Sequence, residues 1–334
     1  MPTLAAEGAN SAPAKATAQV CPNHLQTMCV VPTLPLGTLS GMTRWVGLLA
    51  LVGLLLAVGR AQPRTDTLQL ITTSQLAQRL SDPNLRLIDA RGTLATYLQE
   101  HLPNAIFLST ETLRFTRGGI PGQMLSPERL AEIFGAMGIG AENEVVVYSS
   151  AEDAFSAATY TALALLAIGH TRVAVLDGGI EKWKAENRPL SRAIPRFEPS
   201  ARTAQPNPDL FRTLEWLQKY LDSPEPVQLL DARAPQQYQA GHIPTAQNLF
   251  LREMLRSEGS YSVWRSPDEI RQKVQQLGID TGRPLVVYCA SGREASQLWF
   301  TLRVLLGIQA QVYDGSWVEW SAHGQPITKE SNAP

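Results

Sequence analysis

An internal repeat with a period of about 140 residues restricts the fold of this chain more than any other feature. Motifs of the first half return in the same order in the second half, shifted by 142, 140 and 137 residues. The matching pairs are Asp89-Ala90-Arg91 with Asp231-Ala232-Arg233, Val146-Val147-Tyr148 with Val286-Val287-Tyr288, and Asp177-Gly178-Gly179 with Asp314-Gly315-Ser316. Solenoid repeats span only roughly 20 to 50 residues, so a period this long predicts one complete domain present twice.

Each half alternates short apolar segments with longer helical patterns, which is typical of parallel strands joined by helices. The predicted strands are Leu85–Asp89, Val145–Tyr148, Val227–Asp231 and Leu285–Tyr288. The sequence therefore predicts an α/β protein with two tandem domains, each a parallel sheet with helices on both faces. We place the first domain at residues 68–190 and the second at 209–330. Residues 191–208 are rich in Pro, Ser, Arg and Ala, and we interpret them as the linker.

The N-terminal region has a different composition. Residues 1–41 are rich in Ala, Pro, Ser and Thr and show no apolar period. This composition predicts either a disordered segment or residues that lie upstream of the true start of the protein. Residues 42–61 contain a basic residue, an apolar run and small residues, a pattern typical of a signal peptide. Because the run at 45–58 is shorter than the roughly 20 residues of a membrane-spanning helix, we expect a cleaved signal and a periplasmic protein rather than a membrane anchor.

The overall charge excludes one class of partner. The formal net charge is −1, which gives no general attraction for polyanions, so we expect no nucleic acid partner. Cys21 and Cys29 precede the predicted cleavage site, which leaves Cys289 as the single thiol of the mature chain. One thiol cannot form a cluster of cysteine ligands, and the five histidines show no ligand spacing. We therefore expect neither a metal nor another cofactor.

Cys289 follows a predicted strand and precedes a predicted helix. Ligands bind at the carboxyl ends of strands in such sheets, and the start of a helix offers free N–H groups and a positive dipole end. This environment is expected to lower the pKa of a thiol and make it a nucleophile. Gly292 allows the loop to turn tightly, so that its N–H groups converge on one sulfur. A lone cysteine can also be an inert core residue, but Gly292 and Arg293 favour a reactive one.

Several motifs resemble those of the rhodanese family. Residues 231–246 resemble its DxR…Y..GHIPGA signature, although Thr245 replaces the usual Gly. Residues 288–293 resemble its active-site loop, and residues 313–320 resemble the C-terminal motif of its two-domain members. The first half carries weaker copies of these motifs. The resemblance covers nearly all of the chain after Thr67.

The resemblance implies a monomeric sulfurtransferase. Cys289 would carry sulfur as a persulfide, taken from a small anionic donor and passed to cyanide or to a thiol. The backbone of Ala290, Ser291, Gly292 and Arg293 would hold the sulfur, and Arg233 and Arg293 would attract the donor. The loop has features of both thiosulfate and 3-mercaptopyruvate users; we favour thiosulfate. The first domain would be inactive, because Ser149 stands where Cys289 stands in the second.

Other interpretations compete with this one. Arg233 can equally form a structural ion pair with Asp231, since Arg91 repeats it in the inactive domain. His242 is better explained as a structural histidine, because His101 repeats it. A thiol phosphatase or arsenate reductase needs an Arg six positions after the Cys, where this chain has Ala295. A sulfur-carrying or protein-binding module without catalysis is a further alternative.

Overall fold

The computed structural model describes residues 67–221, 223, 227–283 and 285–330. The predicted upstream segment 1–41, the predicted signal peptide 42–61 and the alternative anchor 45–58 all lie outside these residues. No helix in the described part of the chain is both long enough and apolar enough to span a membrane.

The first half contains seven strands and five α-helices in the described residues. The strands are β1 Thr67–Ile71, β2 Leu85–Asp89, β3 Ala105–Phe107, β4 Arg114–Arg117, β5 Ile120–Met124, β6 Glu144–Tyr148 and β7 Arg172–Leu176. The helices are α1 Thr73–Ala77, α2 Leu94–Gln99, α3 Pro127–Ala136, α4 Ser156–Ala167 and α5 Gly179–Ala185. Five strands form a parallel sheet in the order β1-β7-β6-β2-β3, and β4 and β5 form an antiparallel hairpin outside it.

The second half repeats this arrangement. Its strands are β8 Phe211–Arg212, β9 Gln228–Asp231, β10 Gln247–Asn248, β11 Leu255–Glu258, β12 Tyr261–Trp264, β13 Leu285–Tyr288 and β14 Ala310–Tyr313. Its helices are α6 Leu214–Leu221, α7 Pro235–Ala240, α8 Pro267–Gln276, α9 Ala295–Phe300 and α10 Ser316–Ala322. The parallel sheet has the order β8-β14-β13-β9-β10, and β11 and β12 form the hairpin. The second sheet therefore has the strand order of the first, with the matching strand in every place.

Both faces of each sheet are covered, as the apolar strand sequences require. Along β6, Val145 and Val147 pack into one apolar cluster, while Val146 and Tyr148 pack into another with residues of α1 and α5. The side chains of β13 alternate in the same way: Leu285 and Val287 pack into the cluster that contains Val145 and Val147, while Val286 and Tyr288 pack into a third cluster with residues of α6 and α10. The predicted fold class, two α/β domains with helices on both faces of a parallel sheet, is confirmed.

The two halves share one apolar core. Every residue of α4 is buried, which explains why this helix is apolar on all sides. It packs against α9, whose six residues are also buried, and Thr159 and Ser296 are joined there by a hydrogen bond of 2.9 Å between their hydroxyl oxygens. The chain beyond α9 continues as a π-helical turn over Thr301–Leu305 rather than as the regular helix that the leucine spacing predicts. The interface between the halves is thus continuous with their interiors.

Hydrogen bonds also cross between the halves at the hairpins. The backbone N–H of Met124, at the end of β5, donates to the carboxylate of Asp314 over 2.7 Å. In the other direction, the N–H of Trp264, at the end of β12, donates to Asp177 over 3.1 Å. Each hairpin is therefore attached to the loop that follows the last sheet strand of the other half.

Candidate active site

Cys289 lies at the carboxyl end of β13, one residue beyond the strand. Strand β13 is the central strand of its sheet, between β9 and β14, so the loop that follows β13 lies at the middle of the carboxyl end of the sheet. The side chain is only 1% exposed. Helix α9 begins at Ala295, with Glu294 as its N-cap residue. The strand, loop and helix expected from the sequence are therefore present around this thiol.

The start of α10 fixes the backbone of the loop. The N–H groups of Trp317 and Val318 donate to the carbonyl oxygens of Cys289 and Ala290, each over 3.0 Å. The N–H of Cys289 donates to the hydroxyl oxygen of Ser316 over 3.2 Å. Ser316 holds this position with a φ of 52°, a conformation that costs a residue with a side chain roughly 1–2 kcal/mol. The hydrogen bond to Cys289 gives a physical reason for a serine at this position.

Gly292 is required by the packing of the loop. Its φ is 87°, in the region that favours glycine. A Cβ on this residue would lie 2.5 Å from Oδ1 of Asp314 and 2.6 Å from its carbonyl oxygen. Neither atom can move away easily, because Asp314 is fixed by Met124. The loop and the hairpin of the first half are therefore packed against the same buried carboxylate.

The backbone N–H groups of Ser291, Gly292 and Ala295 lie near the sulfur of Cys289. The third of these residues, Ala295, begins α9, and participation of the N–H groups of Ala290 and Arg293 stays a prediction from the sequence. These N–H groups lower the pKa of the thiol. Burial and the nearby carboxylate of Glu294 have the larger effect, and the pKa of Cys289 is raised. The expectation of a lowered pKa was therefore wrong, because desolvation exceeds the stabilisation by the loop.

A cavity of about 280 Å³ opens onto Cys289. Its lining consists of Glu111, Arg114, Cys289, Ala290, Ser291, Arg293 and Glu294. Two of these residues, Glu111 and Arg114, belong to the first half. The cavity is therefore built by both halves, and it contains two guanidinium groups.

Arg114 was not predicted from the sequence. Its Nη2 donates to the carbonyl oxygen and to the hydroxyl oxygen of Ser291, over 2.5 and 3.0 Å. The same arginine donates through Nε to the carbonyl of Gly122 over 2.9 Å. The matching position at the start of β11 is Leu255. The sequence signal that could have identified Arg114 is therefore a difference between the two repeats, because an arginine stands where the other half has an apolar residue.

Arg233, predicted from the sequence to attract the donor, is not among the residues that line this cavity. Its guanidinium donates to both carboxylate oxygens of Asp231 and to the carbonyl of Gly241, and it lies 4.6 Å from the ring centre of Trp317. Arg91 forms the same bonds with Asp89 and the carbonyl of Glu100. Because the pair is repeated in both halves and these contacts are internal, we interpret Arg233 as a structural residue, and its role in donor binding stays a prediction.

The two histidines of the repeated motif also have structural roles. His242 stacks on Tyr238 with ring centres 3.8 Å apart and bonds to its carbonyl oxygen over 2.9 Å. His101 stacks on Tyr97 and bonds to its carbonyl oxygen in the same way. Neither imidazole lines the cavity at Cys289.

The matching loop of the first half is filled by its own carboxylates. The hydroxyl of Ser149 donates to Asp153 over 3.2 Å, and the other carboxylate oxygen of Asp153 accepts the N–H of Ala157. Glu181 accepts hydrogen bonds from the hydroxyl of Ser150 and from the N–H of Ala151. Burial raises the pKa of Asp153 to about 6. A cavity of about 1050 Å³ lies beside this loop and shares Arg293 and Glu294 with the smaller cavity, but Cys289 does not line it.

Comparison with known proteins agrees with this duplicated arrangement. A model of the family described as "Rhodanese-like domain" matches the chain twice, at residues 72–186 and 213–323. The chain belongs to the rhodanese family.

Relatives of this rhodanese span the whole tandem. A putative thiosulfate sulfurtransferase from Synechococcus elongatus is 30% identical over 83% of this chain and 91% of its own. A 3-mercaptopyruvate sulfurtransferase from Rattus norvegicus is 30% identical over 77% of this chain and 93% of its own. The crystal structure of the Escherichia coli 3-mercaptopyruvate sulfotransferase SseA superimposes with a TM-score of 0.66 and 25% identity, over 75% of this chain and 99% of SseA. The family and the sulfurtransferase class predicted from the sequence are confirmed.

Proposed function

We propose that this rhodanese transfers sulfane sulfur through a persulfide on Cys289. The observation that carries the proposal is the position of the thiol: Cys289 lines a cavity together with two arginines, and the backbone N–H groups of three residues lie near its sulfur. The arginines suit an anionic donor, since guanidinium groups form strong charge-assisted bonds with oxyanions. The N–H groups suit the negative charge that a persulfide carries.

The first half-reaction loads the enzyme. The thiolate of Cys289 attacks the outer sulfur of thiosulfate, the sulfur–sulfur bond of thiosulfate breaks, and sulfite leaves with the electron pair. A new sulfur–sulfur bond joins the transferred atom to Cys289, and the persulfide carries the negative charge that the thiolate had. Total charge and electrons are unchanged. The N–H groups of Ser291, Gly292 and Ala295 stabilise this charge at the start of α9.

The second half-reaction discharges the enzyme. Cyanide or a thiolate attacks the outer sulfur of the persulfide, and the bond to Cys289 breaks with its electron pair returning to the cysteine. The products are thiocyanate or a persulfide of the acceptor, together with the original thiolate. Cyanide and thiols are thus acceptors of the same kind, since each is a nucleophile for sulfur.

Thiosulfate is the donor we favour, with 3-mercaptopyruvate as the alternative. The loop itself supplies one basic residue, Arg293, and the first half adds Arg114 to the same cavity. Two guanidinium groups match a dianion better than one would. The relatives include proteins named for each donor.

The remaining expectations extend this proposal. The first half serves as a scaffold without chemistry of its own, because the hydroxyl of Ser149 is bonded to Asp153 and no thiol stands there. The enzyme acts as a monomer in the periplasm after removal of residues 42–61. Sequencing the N-terminus of exported material, and measuring its mass in solution, tests both points; a start at Met1 would contradict the signal peptide.

Mass spectrometry of the loaded protein tests the central proposal. Incubation with thiosulfate, followed by digestion, is expected to add one sulfur atom to the peptide that contains Cys289. The variant C289S should remain unloaded and inactive. If neither thiosulfate nor 3-mercaptopyruvate adds sulfur, the proposal fails; if C289S keeps its activity, the nucleophile is another residue.

A further inference from the structure

One carboxylate contacts both arginines of the cavity. Oε1 of Glu111 lies 3.2 Å from Nη1 of Arg114 and 3.7 Å from Nη1 of Arg293. The side chain of Glu111 is 65% exposed, so it reaches the arginines from the solvent side. A negative group thus stands between the two positive groups, close to the thiol loop.

Arg114 is held so that one nitrogen remains for an anion. Nε is bonded to the carbonyl of Gly122, and Nη2 is bonded to Ser291. The remaining nitrogen, Nη1, has Glu111 as its partner. The side chain of Arg114 is only 8% exposed, so the guanidinium is fixed before any ligand binds. A fixed arginine binds an anion without first losing conformational freedom.

Arg293 is less occupied than Arg114. Its guanidinium lies 3.7 Å from the carboxylate of Glu111, and among the described residues it donates no hydrogen bond. Its side chain is 35% exposed and lines the cavity together with Cys289. Its donors are therefore available to a ligand that enters the cavity.

The inactive half shows what an internal carboxylate does at such a loop. There, Asp153 and Glu181 bind the N–H and hydroxyl donors of the loop from within, and Asp153 is buried. At the loop of Cys289, the carboxylate that contacts the arginines is Glu111 of the first half, and this carboxylate is exposed instead. An exposed ion pair contributes little free energy, so an incoming anion can replace it.

From these contacts we infer that Glu111 occupies the site of the donor's anionic group in the unloaded enzyme, and that the donor displaces it to bind Arg114 and Arg293 together. The inference rests on the proposed function and identifies its donor site. The first half, which has no thiol of its own, then supplies one of the two cationic contacts. Glu111 weakens donor binding, most strongly for a dianion such as thiosulfate, because its charge competes at both arginines.

Thiosulfate binding to a protein that cannot react tests the inference separately from catalysis. Calorimetric titration of C289S with thiosulfate gives the affinity of the site, and the same titration of C289S/E111Q gives the effect of the carboxylate. We expect about three- to fivefold tighter binding without Glu111, the size of an exposed ion pair. The matched control is C289S/E132Q, because Glu132 is also exposed and paired with an arginine three residues away. Its affinity should equal that of C289S.

Single-turnover loading provides the second measurement. E111Q with Cys289 intact should reach half of its maximal loading rate at a lower thiosulfate concentration than the wild type, with a smaller change for 3-mercaptopyruvate. The rate at which a thiol without other charged groups removes the sulfur should be the same in E111Q as in the wild type. In the titrations, C289S/R114Q should bind thiosulfate about tenfold more weakly than C289S, and C289S/R114K should recover part of the loss.

Unchanged or weaker thiosulfate binding in C289S/E111Q would overturn the inference, as would an affinity of C289S/R114Q equal to that of C289S. E111Q alters an exposed side chain, so its result does not depend on the fold being disturbed. Failure of the wild type to take up sulfur would overturn the proposed function, while the titrations of C289S would still decide the role of Glu111.

Discussion

Replacement of Arg233 by methionine separates a structural role from a role in donor binding. The guanidinium is almost fully buried, and three of its hydrogen bonds go to the carboxylate of Asp231. Removing one partner of a buried ion pair leaves an uncompensated charge and costs about 3–5 kcal/mol. We therefore expect R233M to lower the free energy of unfolding by that amount, measured by urea denaturation.

The duplicated fold provides a matched control. Arg91 forms the same bonds with Asp89 in the half that lacks the thiol, so R91M should cost a similar free energy. Neither variant should change the thiosulfate concentration that gives half-maximal loading by more than about twofold. Loading is measured at a temperature where both variants remain folded.

A selective effect on the donor would refute this reasoning. A charge-assisted hydrogen bond contributes roughly 1.5–3 kcal/mol, which corresponds to at least about tenfold in binding. If R233M raises the half-saturating thiosulfate concentration that much while R91M does not, and both lose the same stability, Arg233 binds the donor and the structural interpretation is wrong.

Three further predictions concern single positions. E294Q removes a charge that raises the pKa of Cys289, so its loading rate should rise at a lower pH than that of the wild type; an unchanged pH profile would contradict this. T245G should gain about 1 kcal/mol in urea denaturation, since Thr245 has a φ of 67°. Burial raises the pKa of Asp314 to about 6, so the native state holds its proton more tightly than the unfolded state. Stability of D314N relative to the wild type should therefore increase as pH rises from about 4 to 6, and a flat difference would argue against it.

The fold was predictable because the repeat and the strand patterns are local properties of the sequence. Leu85–Asp89 and Leu285–Tyr288 are strands with the predicted bounds, and the reactive loop follows the second of them. Apolar runs of this kind form strands covered on both faces whatever the details of the loops. The position of Cys289 at a strand end followed from the same pattern.

The contribution of the first half to the cavity was not predictable, because it depends on contacts between distant segments. Arg114 lies 177 residues before Ser291 in the chain, and only the packing of the two halves brings them together. Arg233 lies in a motif next to a predicted strand end, but the ion pair with the buried carboxylate of Asp231 sets the orientation of its side chain. The pKa of Cys289 depends on burial, which the local motif does not report.

Each half of the molecule contributes hydrogen bonds to the loop of the other half. Arg114 donates to a carbonyl of the thiol loop, and Arg252 from the second half donates to carbonyls of the loop after Ser149. The N–H groups of the hairpins bind the aspartates of the opposite halves in both directions. The first half has Ser149 where the second has Cys289, and it makes these structural contributions without a thiol. Cys289 lies in the second half, but Arg114 and the hairpin N–H that binds Asp314 belong to the first half. Asp314 in turn packs against Gly292. The observed conformation of the loop around Cys289 therefore depends on both halves.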